Sequence, residues 1–166
     1  MNQNEILLKT EAGGEQKMLA DIGYSEKAIK YYIEKPYMGS LPDADQVSEM
    51  IGTCGDTMRI FLKINNNKIN DVRYQVLGCP GAISAAMAAV DLIKGKNLEY
   101  ARNIDDNDVF RKLEDIPAKK HHCIQLAVKA LHKALDEYQN GSSKIISMEC
   151  QSVCSTPGDC CKKNSL

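Results

Sequence analysis

The chain contains no tryptophan and only two phenylalanines, and its charges almost cancel, 21 Lys and Arg against 22 Asp and Glu, for a formal net charge of -1. A pI near 6.3 gives no global attraction to polyphosphate. With no basic stripe interleaved with aromatics, nucleic acid is not an expected partner. No run approaches the roughly 18 apolar residues that a membrane helix requires, so no membrane segment is expected either. The opening Met1-Asn2-Gln3-Asn4-Glu5 is polar, and Glu5, Glu11 and Glu15 follow one another closely. That stretch has neither the apolar region of a signal peptide nor the acid-poor character of a transit peptide. The cytoplasm is therefore the expected compartment. There, seven cysteines read as reduced thiols for metal or sulfur chemistry, not as a disulfide framework.

What is present suffices for one domain. At 166 residues, 43% hydrophobic and 26% charged, the chain can bury a core of ordinary size. Composition divides it into a loosely ordered lead over 1–21, a folded domain over 22–140 and a flexible Cys-rich tail over 141–166. Ser25 is placed to cap a short helix that runs through Ile33 and stops at Pro36. Val47 to Gly52 reads as an edge strand. Met58, Ile60, Leu62 and Ile64 then alternate with Thr57, Arg59, Phe61 and Lys63, the period of a half-buried strand. After a turn at Asn65-Asn66-Asn67-Lys68, a further strand carries Val72, Tyr74 and Val76 on one face and ends at Gly78-Cys79.

Beyond Cys79 the pattern is helical. Pro80 suits a first helical position, Ala82, Ala85, Ala86, Ala89, Val90 and Ile93 line one face, and Gly95 suits the end. Two short helices over 97–116 break near Asp105-Asp106. A longer one runs from about Lys119 to Tyr138, with Ala127, Ala130, Leu131, Ala134 and Leu135 facing inward.

Chemistry concentrates at three element boundaries. Thr53-Cys54-Gly55-Asp56 stands before the first hairpin strand and Cys79 after the second, so an antiparallel hairpin sets the two thiols side by side. Cys123 lies one turn before Ala127 on the core face of the long helix, near its N-terminus. The helix dipole, Lys119, Lys120 and His122 favour its thiolate. Three thiols, the Asp56 carboxylate and His122 form a metal-ligand set. A single buried cysteine is usually a small hydrophobe, but that reading fits three at boundaries poorly. Structural zinc usually takes closely spaced cysteine pairs. A Cys-His nucleophile would need its base well aimed, and His122 and Cys123, neighbours on a helix, project about 100° apart, which is poor geometry for a base meant to deprotonate that thiol.

These residues carry a family resemblance. Cys54-Gly55-Asp56, Gly78-Cys79 with Ala82, Ile93-Lys94-Gly95-Lys96, and Lys120-His121-His122-Cys123 with Ala127 resemble, in type, order and spacing, the IscU/NifU-type scaffolds of iron-sulfur cluster assembly. The resemblance runs from about Tyr24 to Tyr138 and implies an α+β fold, a small antiparallel three-stranded sheet packed against a layer of helices. It implies a scaffold and carrier, not an enzyme. Such a protein receives sulfur from a cysteine desulfurase, binds iron, builds a transient [2Fe-2S] cluster and passes it to acceptor proteins. By motif position Cys54, Cys79 and Cys123 are the implied thiolate ligands, with Asp56 and His122 competing for the remaining position. Cys123 is the implied persulfide acceptor and Lys120 a helper. Exchanging one thiolate for a carboxylate or imidazole weakens one position, which suits a carrier that must release its cargo.

The chain departs from the pattern in places. Ser84-Ala85-Ala86-Met87 replaces a run of serines. Ile116-Pro117-Ala118-Lys119-Lys120 only partly resembles the two-proline segment that an Hsp70/J-type chaperone recognises in some members, which speaks against that partnership. The alternative is a zinc-binding, SufU-like sulfur acceptor that stimulates a desulfurase, with zinc also an option for the cluster-free scaffold. Such acceptors carry an insertion between the second and third cysteines and lack the histidine, whereas here the gap is uninterrupted and His122 is present. Monomer and homodimer both stay open. In the tail, Cys150, Cys154, Cys160 and Cys161 show no ligand spacing, and Pro157-Gly158 breaks any helix between them. They read as a thiol arm relaying iron or sulfur, or as an incidental end.

Overall fold

A computed structural model describes residues 13–141; the expectations for residues 1–12 and for the tail cysteines lie outside the described residues. The alternating stretch forms the middle strand of an antiparallel sheet ordered β1 (Gln46–Ile51), β2 (Thr57–Asn65), β3 (Lys68–Leu77). Met58, Ile60 and Leu62 on its inner face are fully buried, as alternation across a one-sided sheet requires. β3 starts at Lys68, four residues before the first apolar residue that announced it. Asn66 and Asn67 both take positive φ, 49° and 61°, and two such residues close a hairpin whose twist matches its strands.

The helices cover one face of this sheet. A helical segment over 13–21 (α1) precedes α2 (Glu26–Glu34), whose cap Ser25 accepts the Ala28 N–H at 3.0 Å and which ends at Lys35 in a left-handed conformation. α3 (Pro80–Ile93) is buried almost all round. Its alanines let neighbouring backbones approach closely, and Ser84 donates to the Ala28 carbonyl at 2.7 Å to tie it to α2. The break expected at Asp105-Asp106 separates α4 (Leu98–Arg102) from α5 (Asp106–Leu113), and Asp105 and Asp108 form a reciprocal capping box there, which satisfies two otherwise orphaned N–H groups. A 3-10 turn, Ala118–Lys120, leads into α6 (His121–Gln139). Tyr74 on β3, fully buried, donates to the Ala127 carbonyl at 3.1 Å and pins α6 to the sheet.

Residues 13–21 depart from the expected loose lead. They are helical, Leu19 is 4% exposed in the core, and the Tyr32 hydroxyl donates to Glu15 at 2.7 Å. A stripe as sparse as Met18 and Leu19 is too weak to announce a helix, because contacts with the rest of the fold, not local propensity, hold it in place. The sheet and its helical layer form the α+β architecture anticipated from the sequence.

Candidate metal centre

Thr57 pairs with Leu77 at the last rung of the β2–β3 ladder, so the loop before β2 and the chain leaving β3 emerge side by side. The loop is tight. Gly52 N–H donates to the Asp56 carbonyl at 2.8 Å, Gly55 N–H donates to the Gly52 carbonyl at 3.0 Å, and Gly55 takes φ 85°, a conformation that glycine adopts without strain. This fold of the chain turns Asp56 toward Gly78. A Cβ on Gly78 would stand 2.7 Å from Asp56 Cγ and 2.9 Å from its Oδ1. Only a residue without a side chain lets the carboxylate lie there.

So placed, Asp56 Oδ2 is 3.5 Å from Cys79 Sγ and 3.9 Å from Cys123 Sγ, and the two sulfurs are 3.6 Å apart. Cys79 is the N-cap of α3, and Cys123 sits in the first turn of α6. The ligand atoms of Asp56, Cys79 and Cys123 lie within 4.8 Å of one another, and so do those of Cys54, Asp56 and His122. The five expected ligands therefore form two overlapping groups with the carboxylate in common. Cys54 is exposed at the rim, Cys79 is half-buried and Cys123 is fully buried. His122 Nε2 lies 3.5 Å from the neighbouring Cys123 sulfur.

The charge of the thiol pair differs from the sequence-based expectation that Cys123 is the thiolate. Hydrogen bonding with Cys123 pulls the Cys79 thiol down to about 6 against the opposing effect of burial, with further help from the Ala82 N–H and Lys120. Cys123 is pushed up, first by that same hydrogen bond and then by burial. Two sulfurs this close do not both ionise readily, so ionisation is favoured at the helix cap, where backbone N–H groups converge, and disfavoured at the buried sulfur. Burial lowers the Lys120 ammonium, yet Cys79, Cys123 and Asp56 together raise it above its ordinary value. Lys120 is thus a cation held beside the sulfurs.

Sequence reasoning missed three residues that shape this pocket. Tyr24 is buried and its phenol is pushed up to about 12, first by burial and then by the nearby thiol pair of Cys79 and Cys123. A Cβ on Gly81 would meet the Tyr24 hydroxyl at 3.1 Å and Lys120 Cβ at 3.2 Å, and one on Gly52 would meet Leu126 Cδ2 at 2.8 Å. Tyr24 stands next to a helix cap and carries no pattern of its own. The fit of Gly81 and Leu126 depends on contacts remote in sequence.

Similarity to known proteins agrees with this geometry. The model of the NifU-like N terminal domain matches residues 23–144. Iron-sulfur cluster assembly scaffold protein IscU 1 of Archaeoglobus fulgidus is 35% identical over 123 residues, 74% of this chain and 80% of that protein. The protein named IscU in Escherichia coli K12 is 35% identical over 124 residues, 72% of this chain and 96% of its own length. A crystal structure from Fervidobacterium islandicum, of a candidate iron-sulfur cluster assembly scaffold protein for the SUF system, shares the fold with a TM-score of 0.54 at 23% identity, covering 68% of this chain and 96% of that one. With a sheet end that gathers the expected ligand residues and a family match spanning most of its length, the chain belongs to the NifU-like N-terminal domain family.

Proposed function

We propose that this protein is a scaffold on which iron and sulfide are assembled into a [2Fe-2S] cluster that is then handed to acceptor proteins. The observation that carries the reading is the convergence of three thiols, a carboxylate and an imidazole from three separate segments, with Asp56 common to both donor groups. Iron and sulfide favour thiolates, and a permanent site would use four. Cys54, Cys79 and Cys123 supply three. Asp56 or His122 completes the set with a weaker, exchangeable donor, which suits cargo that must leave. Relatives 35% identical carry the name of such scaffolds, and the same role is proposed here in the cytoplasm.

Sulfur arrives in this reading from a cysteine desulfurase as persulfide. Cys123 passes its proton to the Cys79 thiolate 3.6 Å away; the resulting Cys123 thiolate attacks the outer sulfur of the donor persulfide, and the donor cysteine leaves as a thiolate. Lys120 stabilises the negative charge at the pair. The protein is a carrier in this scheme, and zinc is an occupant of the same donors in the cluster-free form.

Anaerobic reconstitution with ferrous iron, cysteine and a desulfurase, followed by analysis for iron, zinc and acid-labile sulfide, tests the reading. Matching iron and sulfide with visible charge-transfer absorption is the expected result. A protein that retains only zinc, develops no absorption and merely accelerates the desulfurase overturns it in favour of the zinc sulfur acceptor.

A further inference from the structure

Persulfide carries sulfur at the oxidation level of the element, whereas a cluster needs sulfide, so two electrons must be supplied at the site. The structure holds a donor for them. If sulfane sulfur rests on Cys123, its inner sulfur is the Sγ atom itself, and Cys79 Sγ lies 3.6 Å from that atom. Both sit at helix starts beside a carboxylate, with Asp56 Oδ2 3.5 Å from Cys79. Cys54 belongs to the other donor group, with Asp56 and His122, and is exposed.

We propose that Cys79 is the resolving thiol that releases sulfide inside the site. The step rests on the sulfur-accepting scaffold reading above. The Cys79 sulfur attacks the inner sulfur of the Cys123 persulfide. A Cys79–Cys123 disulfide forms, the bond from Cys123 Sγ to the outer sulfur breaks, and the outer sulfur departs as hydrosulfide with the bonding pair. The Cys79 proton leaves through the Asp56 carboxylate to the departing sulfide. The two cysteine sulfurs supply one electron each as they join in the disulfide, so no external reductant is consumed in releasing the first sulfide. A cellular dithiol then reduces the disulfide by exchange and restores both ligands. Geometry favours the pair. The sulfurs need to close by about 1.5 Å to reach disulfide bonding distance, and Cys123 is fully buried, so a small-molecule thiol does not reach its inner sulfur as readily as Cys79 does.

The full-length protein is loaded with sulfane sulfur by a cysteine desulfurase and cysteine, separated from both anaerobically without reductant and followed for free sulfide, while alkylation and peptide mass mapping locate the sulfane sulfur and any disulfide. Wild type is expected to release one sulfide per loaded chain as a Cys79–Cys123 disulfide appears, and Cys79→Ser is expected to keep its sulfane sulfur until a dithiol is added. Retention of sulfane sulfur by wild type, or sulfide release without that disulfide, overturns the proposal. Mapping wild type directly keeps the test valid should Cys79→Ser fold poorly. Cluster formation from ferrous iron and free sulfide, which bypasses persulfide, tests the scaffold reading separately.

Discussion

Replacing Gly78 by alanine probes the site with little disturbance of the fold. Gly78 is not among the glycines with positive φ, so its backbone accepts alanine and the effect falls on what the new methyl meets. The three nearest atoms all belong to Asp56, at 2.7 Å from Cγ, 2.9 Å from Oδ1 and 3.0 Å from Cβ. Relaxed carbon contacts begin near 3.5 Å, so the carboxylate must retreat by about 0.8 Å. Overpacking in a rigid core costs about 1–3 kcal/mol. Asp56 is short and half-exposed at a loop end, so its side chain turns away and the loss stays near the lower bound, about 1 kcal/mol or about 2–4 °C in Tm for a chain of this size. The larger consequence is chemical: the carboxylate leaves Cys79 and Cys123.

A double-mutant cycle exposes this coupling. Asp56→Ala removes two of the three atoms that the methyl strikes, so Gly78→Ala in that background should cost less than in wild type, with a coupling of at least about 0.5 kcal/mol in denaturant titrations. In the proposed reading Asp56→Ala slows cluster transfer to an apo-ferredoxin, because it removes the weak oxygen ligand and leaves a more thiolate-dominated site. Gly78→Ala should slow transfer in the same sense, and the double mutant no further than Asp56→Ala. Strict additivity of the two stability losses would refute the contact as the cause. Transfer by Asp56→Ala at or above the wild-type rate would refute the role of the carboxylate in release.

Tyr74→Phe, which deletes the buried hydrogen bond to the Ala127 carbonyl, should cost about 1–2 kcal/mol in denaturant midpoint analysis; an unchanged midpoint would mean that α6 does not depend on this pin. At Asp91, burial raises the carboxyl, but the Lys112 ammonium and the Tyr31 and Tyr37 hydroxyls outweigh it and hold the group below its ordinary value. A carboxylate depressed in the folded state contributes stability that is present above its unfolded pKa and lost as pH falls through the folded value, so the loss falls below about pH 4. Urea midpoints measured from pH 6 down to pH 3 should drop less steeply for Asp91→Asn than for wild type, and parallel curves would show that this cluster plays no part in acid unfolding.

What the sequence announced and what it withheld separate along a physical line. Patterns within one element were legible: the alternation of Met58, Ile60, Leu62 and Ile64, the apolar face of α3, and the hairpin that brings Cys54 and Cys79 to one end of the sheet. Features decided by contacts between remote elements were not. α1 depends on packing around Leu19. The thiol pair shares its charge unequally because Cys79 and Cys123, 44 positions apart, meet at 3.6 Å. An argument from the charges near Cys123 alone leaves that second sulfur out.

The glycines around the site extend the same point. Gly52, Gly78 and Gly81 all lack the positive φ that usually accounts for a glycine; each leaves room for another residue's side chain, Leu126, Asp56, and Tyr24 with Lys120 respectively. Their positions look unremarkable in sequence because the requirement comes from the neighbour and not from the backbone. They nevertheless set how the donors are graded. Leu126 fills the space under the loop that carries the exposed Cys54, Asp56 rests against Gly78 between the two donor groups, and Lys120 lies over Gly81 beside the buried pair. In the proposed reading this grading orders the chemistry: the fully buried Cys123 and the half-buried Cys79 beside it hold cargo most firmly, while the exposed Cys54, reached first by solvent or by an acceptor's thiols, exchanges first. Asp56, common to both groups, is the donor through which the hold on the rim passes to the hold on the interior.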